Sequence, residues 1–257
     1  MAFDSASAVV TGGESGIGKA IVLALAARGA SVTFTYLSDG SAAQAVATQA
    51  QAAGGQAVAV RTDVGNEQDV AALFDRAESL FGTPALLVNS AGRNMSGTML
   101  GDMGLDQFDK VVRADLYGPF LTCRALVRGL EKAGAKGRIV NISSIHEMAP
   151  RPGGVDYDSA KGGLAQLTRT LALELAPKGI AVNGVAPGMI LTPMNQSAID
   201  NPAKLKANEA AIPWGRAGTP EEVAELVLFL LSPAADYITG TTVTIDGALS
   251  LTVALGA

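Results

Sequence analysis

Short apolar runs rich in β-branched residues alternate with longer stretches in which alanine and leucine recur at helical spacing, almost from one end of the chain to the other. The runs fall at 8–11, 32–35, 57–60, 86–88, 138–142, 180–183 and 242–245. They show no polar alternation, which predicts strands of a parallel sheet covered by helices on both faces. Strand–helix alternation requires right-handed crossovers and therefore a doubly wound sheet. Thr219-Pro220-Glu221-Glu222 marks one helix start, with an N-cap threonine, proline at the first helical position and glutamate at the third. No repeat or low-complexity linker divides the chain, so residues 1–257 are expected to form a single domain. The longest stretch without strand signal, about 190–218, carries scattered prolines and is predicted to form the substrate pocket or its lid.

Between the first run and the first helix lies Thr11-Gly12-Gly13-Glu14-Ser15-Gly16-Ile17-Gly18-Lys19. Glycines there let the backbone turn tightly and approach a pyrophosphate, whose charge is favoured by a helix N-terminus. A glycine-rich turn can be merely a tight turn. Its place after the first strand of a βαβ unit makes it a dinucleotide cradle, with Gly12, Ser15, Gly16, Ile17 and Gly18 as candidate contacts. The predicted fold is thus a Rossmann-type α/β domain of about seven strands.

Tyr157 and Lys161 stand four apart at the start of a helical run, which puts their Cβ atoms about 5–6 Å apart on one face. A free tyrosine titrates near ~10 and is a poor base at neutral pH. A neighbouring ammonium favours the phenolate and turns the pair into a usable proton relay. The bare spacing also occurs on solvated helix faces. Ser143-Ser144 changes its weight, because these serines end a strand at the carboxyl edge, where α/β active sites sit.

Together these motifs resemble the short-chain dehydrogenase/reductase family, whose glycine turn is spaced TGxxxGxG and whose catalytic serine stands thirteen residues before the tyrosine, here Ser144. The resemblance implies an NAD(P)-dependent oxidoreductase that moves hydride between a nicotinamide and a carbonyl/alcohol substrate. In it Ser144 and Tyr157 hold the reacting oxygen, Tyr157 transfers the proton, and Lys161 supports Tyr157 and holds the nicotinamide ribose. Asn89-Ser90-Ala91-Gly92 is similar to the family's Asn-Asn-Ala-Gly turn, with Ser90 a departure, and implies cofactor contacts at Asn89, Ala91 and Gly92. Asp63 and Val64 match the adenine contact, and Pro187, Gly188, Ile190 and Thr192 the nicotinamide side.

Two further positions depart from the family pattern. Asp115 stands where an asparagine usually supports the proton relay; it accepts the same hydrogen bonds but cannot donate them. Either the exchange is tolerated, or it holds catalysis back and leaves a dinucleotide-binding sensor. At the end of the second strand, where NAD enzymes place a carboxylate, Tyr36 is followed by Leu37-Ser38-Asp39-Gly40. No carboxylate bars a 2′-phosphate there and no basic residue binds one, while Glu14 opposes it. Tyr36, Ser38 and the following helix N-terminus are the expected neutral contacts, giving NADP or NAD with a lean to NADP.

Within the family, Ser143-Ser144-Ile145-His146-Glu147 and Thr192-Pro193-Met194-Asn195 are most similar to the bacterial glucose 1-dehydrogenases, which implies a sugar or polyol substrate bonded by His146 and Asn195. The alternative is a broad carbonyl or 3-oxoacyl reductase, with Arg93, Arg113, Arg124 and Arg128 as the basic surface for an acyl carrier. The family also implies a homotetramer built through the runs at about 105–130 and 156–176, and the apolar tail 249–255 is expected to pack on a neighbour.

Composition narrows the field further. A net charge of −5 with no basic cluster argues against nucleic acid or an anionic membrane as partner. One cysteine, Cys123, and one histidine, His146, leave no internal disulfide and no Cys/His zinc site, so no catalytic metal is expected. The N-terminus lacks a signal-peptide pattern and the apolar run at 226–231 is too short to cross a bilayer, so a cytoplasmic protein is expected.

Overall fold

The computed structural model describes residues 2–4, 6–95 and 97–254, the side chains of Val253 and Ala254 excepted. In chain order the main elements are β1 (Ser7–Thr11), α1 (Gly16–Ala26), β2 (Ser31–Tyr36), α2 (Gly40–Ala52), β3 (Gln56–Arg61), α3 (Glu67–Phe81) and β4 (Leu86–Asn89). There follow α4 (Leu105–Val112), α5 (Gly118–Ala133), β5 (Gly137–Ile142), α6 (Val155–Leu175), β6 (Ile180–Pro187), α7 (Gln196–Ile199), α8 (Pro202–Ala210), α9 (Pro220–Leu231) and β7 (Thr242–Ile245). The seven strands form one sheet in the order β3-β2-β1-β4-β5-β6-β7, with every pairing parallel. The chain order reverses between β1 and β4, which opens a crevice at their carboxyl ends.

Neighbouring strand residues point into two different cores, which is why the runs lack polar alternation. Val10, Val88 and Val140 pack with Ile21, Leu25, Val227 and Leu228 under α1 and α9. Their neighbours Val9, Leu87 and Ile139 pack with Leu73, Leu126, Leu130 and Leu175 under α3, α5 and α6. Each such side chain contributes roughly 1.5–3 kcal/mol by leaving water. The edge strands β3 and β7 are largely half-buried, because each lacks a strand neighbour on one side. The capping box at Thr219 and Glu222 is present as the sequence predicts.

The run at 105–130 is not one helix. A π-helical turn, Arg113–Tyr117, separates α4 from α5. Pro119 explains it, since it has no N–H for the carbonyl of Asp115 four residues back and its ring crowds that carbonyl. The break turns Asp115 inward, where it is fully buried.

The stretch at 190–218 is an excursion with a closed base. Ile190 bridges to Gly218, with Leu191 N–H donating to Gly218 O (3.0 Å) and Gly218 N–H to Met189 O (2.9 Å). It contains α7 and α8, anchored by the buried Ala198 and Ile212. Among the described residues no helix is long and apolar enough to cross a membrane.

Candidate active site

The crevice is a cleft of about 640 Å³. Its floor at one end is the glycine turn. Gly12 and Gly16 adopt φ of 66° and 52°, and a Cβ on Gly12 would lie 2.8 Å from Ala91 Cα. A Cβ on Gly18 would lie 2.0 Å from Gly12 O, so no side chain fits there. Thr35 braces the turn by accepting Gly12 N–H at Oγ1 (3.0 Å), and Thr11 Oγ1 accepts the N–H groups of Ser90 and Ala91 (3.0 Å each). Ser15 precedes α1 with extended backbone, caps nothing with its side chain, and the first turn of α1 holds no acidic residue. The open amides and the absence of Cβ atoms fit a pyrophosphate, as the resemblance implies.

At the other end, Tyr157 and Lys161 project from α6, and Ser144 stands at the end of β5. All three are buried and line the cleft. Lys161 Nζ sits 5.4 Å from the centroid of the Tyr157 ring, donates to Ile142 O (3.0 Å) and pairs with Asp115 Oδ2 (3.1 Å). Asp115 Oδ1 accepts the N–H of Arg93 (2.7 Å). Oδ2 has the ammonium in contact but out of line for a well-directed hydrogen bond. Burial works against the Lys161 ammonium, but Asp115 leads a set of negative neighbours that outweighs it and holds the lysine pKa up. Burial raises the Asp115 carboxyl, and Lys161 and the Arg93 amide pull it only part of the way back. Ser144 Oγ accepts the N–H of His146 (3.2 Å) and keeps its own proton for another oxygen.

Of the residues singled out in the sequence, Gly12, Ser15, Gly16, Ile17, Gly18, Tyr36, Ser38, Asp63, Val64, Ala91, Gly92, Asp115, Pro187, Gly188, Ile190, Thr192 and Asn195 also line this cleft. Asn89 and His146 do not. The side chain of Asn89 turns inward instead: its amide donates to Asn141 Oδ1 (2.8 Å), and its oxygen accepts from Thr122 Oγ1 (2.6 Å). Asn141 in turn donates to Thr168 Oγ1 (2.9 Å), so a buried polar network ties β4, β5, α5 and α6 together under the site. His146 Nδ1 is held by Ala149 O (2.8 Å), with its ring edge-on to Tyr157 at 6.2 Å between centroids.

Of the neutral contacts expected after Tyr36, the free N-terminus of α2 needs correction: Asp39 caps it, accepting the N–H of Ala42 (2.9 Å) and the hydroxyl of Ser41 (2.8 Å). The helix N-terminus is therefore already occupied by a carboxylate. Of the four arginines considered for an acyl carrier, Arg93 and Arg113 line the cleft, whereas Arg124 pairs with Glu67 and lies over Phe120. Sequence reasoning missed the bracing threonines, Thr168, and Arg151, whose guanidinium carbon lies 5.8 Å from the Tyr157 ring centroid. Asn141 did carry a signal, since an amide in the middle of an apolar strand needs partners.

The family profile described as Enoyl-(Acyl carrier protein) reductase matches residues 12–250. Glucose 1-dehydrogenase 2 of Bacillus subtilis (strain 168) is 39% identical over 245 residues, covering 95% of each chain. The chain belongs to the short-chain dehydrogenase/reductase family. Another member, the 3-oxoacyl-[acyl-carrier-protein] reductase of Synechocystis sp. (strain ATCC 27184 / PCC 6803 / Kazusa), is 41% identical over 243 residues, 94% of this chain and 96% of that one. Among solved structures, a candidate 2-deoxy-D-gluconate 3-dehydrogenase of Agrobacterium tumefaciens with bound NADP superposes with a TM-score of 0.87 at 32% identity, covering 96% and 97%. This short-chain dehydrogenase/reductase is thus an NAD(P)-dependent oxidoreductase acting on CH–OH groups.

Proposed function

We propose that the enzyme interconverts a hydroxyl of a sugar or polyol with the corresponding carbonyl, using Ser144, Tyr157 and Lys161. The observation that carries this is their convergence with the glycine turn on one cleft. In the oxidative direction the Ser144 hydroxyl and Tyr157 hold the substrate oxygen, and Tyr157 takes its proton; in reduction Tyr157 gives the proton back. The nicotinamide, when bound, accepts or supplies the hydride. Lys161, fixed by Ile142 O and Asp115, keeps a positive charge under the Tyr157 ring. Gly12, Ser15, Gly16, Ile17 and Gly18 cradle the pyrophosphate; Tyr36, Ser38, Asp63 and Val64 face the adenosine; Ala91, Gly92, Pro187, Gly188, Ile190 and Thr192 face the nicotinamide half. The excursion at 190–218 serves as the lid.

A sugar is supported by one acceptor in the cleft and by a histidine that stands edge-on to Tyr157 without lining the cleft. Asn195 lines the cleft with its amide nitrogen bound to Ile190 O (2.8 Å), which leaves its oxygen for a substrate hydroxyl. His146, held at Nδ1 by Ala149 O, has Nε2 as the ring atom left for a substrate hydroxyl if the bound sugar reaches past Tyr157. The likeness to the Bacillus subtilis glucose 1-dehydrogenase points the same way. The second reading, a carbonyl or 3-oxoacyl reductase, is favoured by Arg93 and Arg113 at the cleft and by the Synechocystis relative.

Absorbance of the reduced nicotinamide, followed over aldoses, polyols, secondary alcohols, ketones and 3-oxoacyl esters, decides between them. Turnover of aldoses that disappears in Tyr157→Phe supports the sugar reading, and turnover of ketones or oxoacyl esters alone replaces it with the second. Cofactor binding without turnover of any compound would bring the sensor reading forward.

The same proposal includes a cytoplasmic homotetramer. The single cysteine is buried, and Leu105, Tyr117, Phe120 and Leu173 leave apolar surface exposed along α4, α5 and α6. Leu251 in the tail is exposed as well, while Leu255 lies outside the described residues. A monomeric mass in light scattering would overturn the assembly.

A further inference from the structure

The cofactor reading leaves open how the enzyme treats the 2′ position of the adenosine ribose. In this fold an acidic side chain at the end of β2 bonds the ribose hydroxyls of NAD, and a nearby arginine accommodates the 2′-phosphate of NADP. Here β2 ends in Tyr36 and supplies neither. One carboxylate lines the same place from another element, and a second stands just outside the cleft. Glu14 comes from the glycine turn and lines the cleft beside Tyr36, Leu37 and Ser38. Asp39 caps α2 immediately after those residues.

The two carboxylates feel each other. Burial raises the Glu14 carboxyl, and the charge of Asp39 adds to the rise. One Glu14 oxygen, Oε2, is buried without a hydrogen-bond partner. An acceptor in that condition gains from a hydroxyl donor and is made worse by another anion. Asp39 stays ionised because the Ala42 amide and the Ser41 hydroxyl hold it below the usual carboxylate range.

Cations do not offset this pair within the cleft. The basic residues lining it are Arg93, Lys110, Arg113 and Lys161, all from beyond β4. Arg61 does touch the β2–α2 loop, donating from Nε to Leu37 O (3.2 Å). It lines an adjoining small hollow that shares Leu37 and Asp63 with the cleft and also holds Asp69, and it does not line the cleft itself.

We propose that Glu14, with the charge of Asp39 behind it, takes over the discriminating role of the missing β2 carboxylate, Glu14 accepting the ribose hydroxyls of NAD and both charges penalising the 2′-phosphate of NADP. This rests on the dinucleotide reading of the cleft. The lean toward NADP that Tyr36 suggests is opposed by charge arriving from outside β2. Both nucleotides enter the site, and NAD binds more tightly.

The test is equilibrium binding, which needs no substrate and no turnover. NADH and NADPH are titrated separately into the wild type, Glu14→Gln, Asp39→Asn and the double variant, following nucleotide fluorescence. Both substitutions keep side-chain shape, and asparagine retains the α2 cap. The wild type is expected to favour NADH by about tenfold or more, because like charges in a binding site are strongly penalised. The double variant is expected to recover most of that difference through tighter NADPH binding, and added salt should narrow the wild-type gap. Equal affinity in the wild type, or a ratio unmoved by both substitutions, overturns the proposal while leaving the cofactor site intact. Failure of both nucleotides to bind would remove the dinucleotide reading and this inference with it.

Discussion

The two ends of the cleft are built on different principles. At the reaction end every important group is buried and held by another: Tyr157 over Lys161, Lys161 on Asp115 and Ile142, and beneath them the network from Asn89 through Asn141 to Thr168. At the ribose end the contacts come from a loop. Ser38 and Asp39 are exposed, and Asp39 answers mainly to its own helix. A proton relay demands fixed geometry, so the fold hides it among interlocked elements. Recognition of a ribose substituent demands only charge of the right sign nearby, which a surface loop can supply and exchange.

Substitutions at the two ends should therefore differ sharply in effect. Tyr157→Phe is expected to lower kcat by about 10²–10⁴-fold, the usual contribution of a positioned acid–base group, with nucleotide affinity retained. Retention of more than a tenth of the activity would remove Tyr157 from the relay. Asn141→Leu strips the network of its central member and leaves the amide of Asn89 and the hydroxyl of Thr168 short of partners. Thr168 keeps Leu164 O and Asn89 keeps only the weak acceptor Cys123 Sγ, so denaturant unfolding should show a drop in stability of about 1–3 kcal/mol.

Asp115→Asn sharpens the comparison from inside the reaction end. Because burial raises the Asp115 carboxyl, it takes up a proton in a more alkaline range than an ordinary aspartate, and Lys161 then loses its counter-charge. The wild-type pH–rate profile should contain a step above the ordinary aspartate range that the variant lacks. Identical profiles would mean that this carboxylate does not titrate within the working range. A large gain in turnover in the variant would instead show that the native residue restrains the relay. Smallest of all should be Ser38→Ala at the ribose end. A surface substitution of this kind is expected to change NADH affinity by less than about threefold, and a larger loss would show that the loop is more committed than its exposure suggests.

The difference between the ends also governs what could be read from the sequence. Tyr157, Lys161, Ser144 and the glycines announce themselves because chemistry or backbone conformation restricts those positions to one or a few residue types at fixed spacing. The strands were legible for a similar reason, since Val9 and Val10 must both be apolar when they face two different cores. The π-helical turn was not, because its cause, Pro119 acting on the carbonyl of Asp115, looks like an ordinary helix interruption until the turn is seen. Nor was the inward role of Asn89, whose partners Asn141 and Thr122 lie 52 and 33 residues away in the chain. The cap of α2 was not legible either: Ser38 and Asp39 are both good capping types, and only the backbone path chooses between them.

The pairing of Ile190 with Gly218 has a consequence for how such a protein can be diversified. Because the two ends of that excursion are hydrogen-bonded to each other, its length and sequence are decoupled from the sheet that holds Tyr157 and the glycine turn. The segment beyond Asn195 behaves as a cassette: one scaffold can receive a different 196–217 stretch and acquire a new range of substrates while Thr192 and its neighbours stay at the cleft.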